Sequence, residues 1–396
     1  MVAIVAYALA CTPAAPSVRR IDEDGVEIVV SERPRWDAGE GWRLTPQPET
    51  AIGEDVGDPA YLFSAIRGQL PGGWGFLGPT RLPDGQLVAG DVLSKEVRFF
   101  DPAGVHVRTV GGRGEGPGEF NNLNELHQCV PGIIYAIDVY GGTLTGIDAA
   151  GRSTDRVHYE QNVGTDLYTP LTCSRSGQVL GMDWGDEQDS RRDGLYRTTV
   201  HMWLLDAEGF VLRDLGGFAG VERIGSGRGS APHPLGKTPA FALGVDRAYI
   251  GTADTFEIEV RSLDGTLLRK MRRPSDDLTI TGADIERYIE VLSEDLEAAE
   301  EVRSLRVEVN TMPMPETFPA YTRFVLDATD HLWVENYRKP GEERVLWSVF
   351  DPQSEWLGEV EVPPRLEVSE IGADYVLGVF RDELDEQSVR LYGLLK

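Results

Sequence analysis

Residues 111–120, GGRGEGPGEF, are the part of the sequence whose residue types and spacing come closest to a ligand-binding loop. Successive backbone N–H groups in such a glycine-rich loop can form an anion-binding nest. Glu115 and Glu119 would repel an anion, however, and they suit Arg113 or a cation better. The alternative is structural, because glycine supplies positive φ angles and Pro117 stiffens the chain. We favour the structural role and keep Arg113, Glu115 and Glu119 as candidate ligand-binding residues.

A second stretch, residues 225–234 (GSGRGSAPHP), also combines glycine, arginine and proline. It occupies the same kind of junction between repeats as the first stretch. Two such loops on one face would line one end of a central tunnel. Arg228 and His233 therefore join the candidate ligand-binding residues.

Motifs of known enzyme classes are absent from the sequence. The six histidines show neither H-x-x-x-H nor H-E-x-x-H spacing, and there is no G-x-S-x-G elbow or P-loop lysine pattern. With 65 Asp and Glu residues, a catalytic carboxylate pair cannot be selected from sequence. No catalytic residue, metal ligand or cofactor is predicted, with calcium as the one ion left open.

The formal net charge of −27 excludes some classes of partner. Phosphate contacts need clustered Lys and Arg, so we do not expect nucleic-acid binding. An anionic membrane surface would also repel the chain. Acidity of this degree suits a soluble monomer that binds a divalent cation, a basic partner or a small ligand.

Residues 1–17 read as an export segment followed by a tether. A short apolar run precedes Ala8-Leu9-Ala10-Cys11, which resembles a bacterial lipobox whose cysteine becomes lipid-anchored. The run lacks a preceding Lys or Arg, and it has Ala8 where leucine is usual. A buried strand is the alternative. We predict a cell-envelope protein anchored through Cys11, in the periplasm or on the outer membrane.

Only two other cysteines occur, Cys129 and Cys173. In an exported protein they can pair as a disulfide, and two buried free thiols are the alternative. Both interpretations stay open at the level of sequence.

Repeated strand–turn patterns carry the prediction of the fold. Short strands with alternating apolar residues are joined by turns that begin at Asp101, Asp148, Asp206, Asp264 and Asp351. Aspartate starts such a turn by bonding its own backbone, and glycine takes the left-handed position. Four antiparallel strands in about 40 residues is the size of one propeller blade. Repeats start at Pro79, His127, Pro170, Pro239, Tyr321 and Leu366, which predicts an all-β, six-bladed β-propeller of four-stranded blades.

Two further elements complete this architecture. Between blades four and five, apolar residues spaced three and four apart predict one acidic helix over about 283–305, with Thr281 and Asp284 as a capping box. The last blade has room for only three strands before the chain ends. An N-terminal strand, from residues 25–32 or 48–54, is expected to close the ring. Residues 18–396 thus form a single domain.

The sequence resembles the NHL-like six-bladed propellers that are common among exported proteins and lipoproteins of bacteria. The resemblance covers roughly residue 20 to the end and departs from the standard repeat in blades three to five, which carry long insertions. It rests on Leu82–Gly85, Val97–Asp101, residues 112–120, Tyr375–Val379 and Arg381–Glu383. It implies fold and export but no activity.

The function predicted from sequence is a binding or interaction scaffold in the cell envelope, with an unknown envelope protein or small ligand as partner. The alternative is a metal-dependent hydrolase, lactonase or lyase. Six-bladed propellers with those activities hold calcium or zinc on the central axis, using Glu, Asn, Asp or His from several blades.

Overall fold

The turns between the third and fourth strands of the sheets use aspartate as the sequence indicates. Asp101 Oδ1 accepts hydrogen bonds from the N–H groups of Ala103 and Val105, both at 2.9 Å. Gly104 then has φ 85°, and Ser354 takes the equivalent position of a later turn with φ 70°. The same side-chain arrangement recurs at Asp148, Asp206 and Asp351, and also at Asp382 between the second and third strands of the last sheet. The turn predicted at Asp264 begins instead at Ser262, whose N–H donates to Thr266 O. These tight turns set consecutive strands antiparallel.

The structure, a computed structural model, describes residues 17–53, 57–66, 78–116, 118–138, 141–158, 168–183, 192–227, 229–275 and 277–396. The predicted export segment with Cys11, and Arg228 in the second glycine-rich stretch, lie outside these residues.

The described strands form six sheets, which we number in chain order. Four short N-terminal strands come first: β1 (Val18–Glu23), β2 (Val26–Ser31), β3 (Arg43–Leu44) and β4 (Thr50–Ile52). Sheet one contains β5 (Thr80–Arg81), β6 (Leu87–Asp91), β7 (Glu96–Phe100) and β8 (His106–Gly111). Sheet two contains β9 (Glu125–Val130), β10 (Ile133–Asp138), β11 (Thr143–Asp148) and β12 (Ser153–His158).

The remaining sheets follow the same order. Sheet three contains β13 (Tyr168–Cys173), β14 (Val179–Asp183), β15 (Asp193–Leu205), β16 (Val211–Ser226) and β17 (Ser230–Pro232). Sheet four contains β18 (Ala240–Leu243), β19 (Arg247–Gly251), β20 (Glu257–Ser262) and β21 (Leu267–Arg272), extended by β2 and β1. Sheet five contains β22 (Tyr321–Leu326), β23 (Leu332–Asn336), β24 (Val345–Phe350) and β25 (Trp356–Val362). Sheet six contains β26 (Leu366–Ile371), β27 (Tyr375–Arg381), β28 (Gln387–Leu395) and the short strands β3 and β4.

The first strands of the six sheets form a closed ring. Each contacts the first strand of the next sheet, from β5 through β9, β13, β18, β22 and β26, and β26 contacts β5 again. Buried apolar residues cluster at every junction between neighbouring sheets; Val97 and Phe99 of sheet one, for example, pack against Ile134 of sheet two. Sheets arranged radially around a ring are the arrangement of a β-propeller, which the repeats predicted.

The N-terminal region runs across the outer edges of three sheets. Strand β2 pairs with β21 of sheet four, and Trp36 donates its backbone N–H to Leu357 O of sheet five at 2.8 Å. Strand β4 then pairs antiparallel with β28, the last strand of the chain. The second of the two predicted segments, residues 48–54, therefore supplies the closing strand, while the first extends sheet four.

Two features correct the prediction of uniformly four-stranded antiparallel blades. Sheet three has a fifth strand, because β17 continues along the long β15–β16 hairpin. Sheet four has six strands, because β1 and β2 add to its outer edge as a hairpin, and the β2–β21 pair is parallel.

The prediction of one helix over 283–305 is also wrong, since two helices lie between β21 and β22: α1 (Gly282–Ser293) and α2 (Ala299–Thr311). The capping box of Thr281 with Asp284 is confirmed. The two helices pack against each other. Val309 of α2 is buried, as Ile289 of α1 is.

Candidate functional site

A cavity of about 680 Å³ lies inside the ring of innermost strands. All six sheets contribute to its wall, mostly through residues at or just after the ends of those strands, such as Arg81, Cys173, Leu326 and Glu370.

Glu370, near the end of β26, is the centre of a hydrogen-bond network in this wall. Its carboxylate accepts hydrogen bonds from the hydroxyls of Thr80 and Tyr375 and, at 3.2 Å, from the backbone N–H of Arg81. Gln128 extends the network from sheet two, donating to Thr80 Oγ1 at 3.2 Å and to Arg81 O at 2.7 Å. Side chains of sheets one, two and six are thereby held in one arrangement.

Burial and hydrogen bonding act in opposite directions on the Glu370 carboxyl. Burial raises its pKa above the ordinary glutamate value, while the bonds from Thr80 and Tyr375 and the charge of Arg175 lower it. The net direction is upward. Burial, followed by the nearby Glu370, also raises the pKa of the Tyr375 hydroxyl, so that this group remains a neutral donor.

Three arginines line the cavity: Arg81, Arg175 and Arg323. The Arg81 guanidinium packs over the Tyr375 ring, 4.7 Å from its centroid. Arg175 follows β13 of sheet three and donates to Ala328 O of sheet five at 3.1 Å, so its side chain crosses the cavity. Among the described residues, neither of these two guanidinium groups, those of Arg81 and Arg175, forms an ion pair with a carboxylate. Both arginines line the cavity, and Arg81 also lines a second, smaller pocket together with Glu49 and Asp374.

The wall between sheets two and three contains a disulfide and an acid–imidazole pair. Cys129 and Cys173 are joined, with their Cα atoms 5.2 Å apart, and both line the cavity. His127 also lines the cavity, and its Nε2 lies 2.8 Å from Glu125 Oε2. Glu125 is 2% exposed, and burial raises its pKa.

No group of three or more His, Cys, Asp or Glu side chains suited to a metal ion occurs within the described part of the chain.

The first glycine-rich stretch lies away from the cavity, between β8 and β9. Glu119 Oε2 accepts from the Gly116 N–H at 3.0 Å, and Phe120 is buried between sheets one and two. Arg113 and Glu115 are exposed, and none of these residues lines the cavity. Their role in ligand binding stays a prediction, while the loop's internal bonds provide the structural role that we favoured.

His233 is buried, whereas Arg113 is exposed. It is 4% exposed, and its Nδ1 accepts the Leu235 N–H at 3.0 Å. A ligand cannot reach this ring without displacing the chain around it. The structure does not bring His233 to the cavity either.

His233 makes the stability of the fold sensitive to pH. Burial lowers its pKa below 6.5; Lys237 also lowers it, whereas Glu222 and the Pro313 backbone oppose the shift. Folding therefore favours the neutral ring. We expect its contribution to be complete above about pH 6.5 and to be lost as the pH falls from there toward the lower folded-state pKa. Denaturant titrations between pH 5 and 8 should show a shallower pH dependence in His233→Gln than in wild type. The exposed His158→Gln is the control, and an unchanged slope in His233→Gln would contradict this assignment.

Sequence reasoning missed Thr80, Arg81, Gln128, Arg175 and Glu370. One signal was available: Arg81 and Glu370 are charged residues at the ends of predicted innermost strands, where apolar packing residues are otherwise expected. Which strand ends converge on a cavity is decided only when the ring closes.

Comparison with solved structures agrees with the fold. The chain is similar to a member of the DUF4221 family from Bacteroides vulgatus, with a TM-score of 0.51 and 11% identity, covering 89% of this chain and 98% of that one. It is also similar to a protein of Bacteroides fragilis whose name describes it as exported, with a TM-score of 0.48 and 11% identity over 93% and 99% of the two chains. A third similar structure is a β-propeller domain of Swd1, with a TM-score of 0.38 and 10% identity over 83% and 98%. At 11% identity, the first of these similarities bears on the fold alone.

No protein-family model matches the sequence, and no curated protein matches it. Within the residues that the structure describes, neither helix has the length and apolar character needed to cross a bilayer.

Proposed function

We propose that this protein is a ligand-binding β-propeller of the cell envelope, with six blades and an NHL-like repeat, and that its ligand occupies the cavity inside the ring. The observation that carries this proposal is the cavity itself. Its volume of about 680 Å³ falls within the range of about 300–1,000 Å³ that is usual for small-molecule sites. Its wall combines apolar surface with a few fixed polar groups, as such sites do.

The remaining parts of the proposal come from the sequence. Residues 18–396 form one domain that acts as a monomer, and the segment before it directs export and anchors the protein through Cys11. The mass of the mature protein tests this part, because a lipoprotein begins at an acylated Cys11.

Blocking the cavity tests the proposed site. Thr322 is an exposed residue of β22 whose side chain lines the cavity, so tryptophan can be placed there without displacing buried residues. We expect Thr322→Trp to weaken binding of the neutral fluorescent probe 1-anilinonaphthalene by at least about 10-fold, because the larger side chain occupies its site. Fluorescence titration measures this effect. Thr109→Trp, on the exposed outer strand β8, is the matched control. Equal affinity in both variants would refute the proposed site.

A further inference from the structure

We propose that the cavity binds an amphipathic organic anion, with its acid group, a carboxylate or sulfonate, held by Arg81 and Arg175 and its apolar body inside the ring. This inference rests on the proposed function, since it names the chemical class of the cavity's ligand. Three properties of the wall carry it: fixed guanidinium groups, a carboxylate that is already occupied, and an apolar interior.

Arg81 is held in position before any ligand arrives. Its backbone N–H donates to Glu370, and its guanidinium packs against the Tyr375 ring at 4.7 Å. No side-chain hydrogen bond or ion pair with another described residue uses its five N–H donors. A planar guanidinium with its donors available matches the two oxygens of a carboxylate or the oxygens of a sulfonate.

Arg175 approaches from the other side of the ring. One of its nitrogens donates to Ala328 O at 3.1 Å, which fixes the side chain across the cavity and leaves its other donors for a ligand. The guanidinium is near enough to Glu370 to lower the pKa of that carboxyl, although the two form no ion pair. Arg81 and Arg175 thus bring two positive charges to one cavity.

Glu370 lies in the same wall but is not the ion-pair partner of either guanidinium. Both of its oxygens already accept hydrogen bonds, from Thr80, Tyr375 and the Arg81 backbone. In a chain with 65 acidic and 38 basic side chains, carboxylate partners for arginine are abundant. Arg323, the third arginine of the cavity wall, does find one and lies 3.2 Å from Glu335. Arg81 and Arg175 have no carboxylate partner among the described residues of this acidic protein, which points to an anion supplied from outside.

The rest of the wall fits an apolar body. Apolar residues that keep part of their surface exposed also line the cavity: Phe241, Val245, Val325 and Leu326. Enclosing apolar surface here gains roughly 25 cal/mol for each Å² removed from water. A purely polar anion such as phosphate would leave this surface wet, whereas an amphipathic acid fills it.

Two probes that differ only in the acid group distinguish a site for an organic anion from a site that binds only the apolar body. The neutral probe 1-anilinonaphthalene and the anionic probe 8-anilino-1-naphthalenesulfonate share one apolar body. We expect the sulfonate to bind at least about 10-fold more tightly to wild type at the site that Thr322→Trp blocks. Arg81→Gln and Arg175→Gln should each weaken the sulfonate by about 10- to 100-fold, which corresponds to losing hydrogen bonds to a charged group. Binding of the neutral probe should change less than about 3-fold.

Arg303→Gln is the matched control, because it removes the same charge from an exposed position on α2 that is 69% accessible. If both probes bind equally, or if Arg81→Gln and Arg175→Gln weaken both probes alike, the anion inference is wrong although the cavity remains a binding site. If neither probe is sensitive to Thr322→Trp, the proposed function itself fails. Circular dichroism of each variant separates lost binding from lost folding.

Discussion

Replacing Ile52 with aspartate is expected to abolish the folded state. Ile52 is 1% exposed and lies in β4, the N-terminal strand that completes sheet six. Its side chain packs with Leu377 of sheet six and with Leu87 and Phe100 of sheet one. A buried, unpaired carboxylate costs several kcal/mol, which is comparable to the whole stability of a typical domain, about 5–15 kcal/mol. Urea unfolding followed by circular dichroism measures the effect.

A graded series sharpens this test of ring closure. Ile52→Ala should lower the free energy of unfolding by about 2–5 kcal/mol, and Ile52→Val by about 0.5–1.5 kcal/mol. Ile21→Asp is the control, because Ile21 lies in the outer strand β1 and is 37% exposed. Should Ile52→Asp unfold at the same urea concentration as Ile21→Asp, the closing role of β4 would be untenable.

Removing the disulfide between Cys129 and Cys173 should produce the second largest loss of stability. The bond links positions 44 residues apart in sequence and ties the innermost strands of sheets two and three. A cross-link of that span restricts the unfolded chain by about 4 kcal/mol, within a usual range of roughly 2–5 kcal/mol. The Cys129→Ala/Cys173→Ala double variant should therefore lose about this much free energy of unfolding.

The matched comparison is wild-type protein unfolded with and without a reducing agent. Reduction should shift the urea midpoint of wild type and leave that of the double variant unchanged. Thiol titration of the unfolded, non-reduced protein in a Cys11→Ser background should find no free thiol. Two titratable thiols, or identical midpoints for wild type and the double variant, would show that the bond does not form or does not stabilise the fold.

The strand repeats were readable from sequence because their determinants are local. An aspartate that bonds the backbone two and four residues ahead needs no distant partner, so the turns at Asp101 and Asp351 follow from their own segments. The predicted repeat starts fall within two residues of the first strands in all six sheets. Pro79, for example, precedes β5 by one residue.

Elements that depend on distant contacts were less accessible. The apolar spacing after Thr281 is helical in both α1 and α2, but it does not reveal the break at residues 294–298. Two N-terminal segments had strand patterns, and pattern alone could not distinguish the one that closes sheet six from the one that extends sheet four.

The sequence by itself determined the propeller fold, the order of its sheets and the net negative charge. Strand periodicity and turn chemistry are properties of short segments, and net charge is a sum over the residues, so none of them depends on the tertiary structure. Only the tertiary structure decided where a ligand would sit. Arg81, Arg175 and Glu370 belong to sheets one, three and six, and they share a cavity only because the ring closes. The glycine-rich loop is recognisable in the sequence because its residues are neighbours along the chain. The cavity is built from residues that become neighbours only through folding.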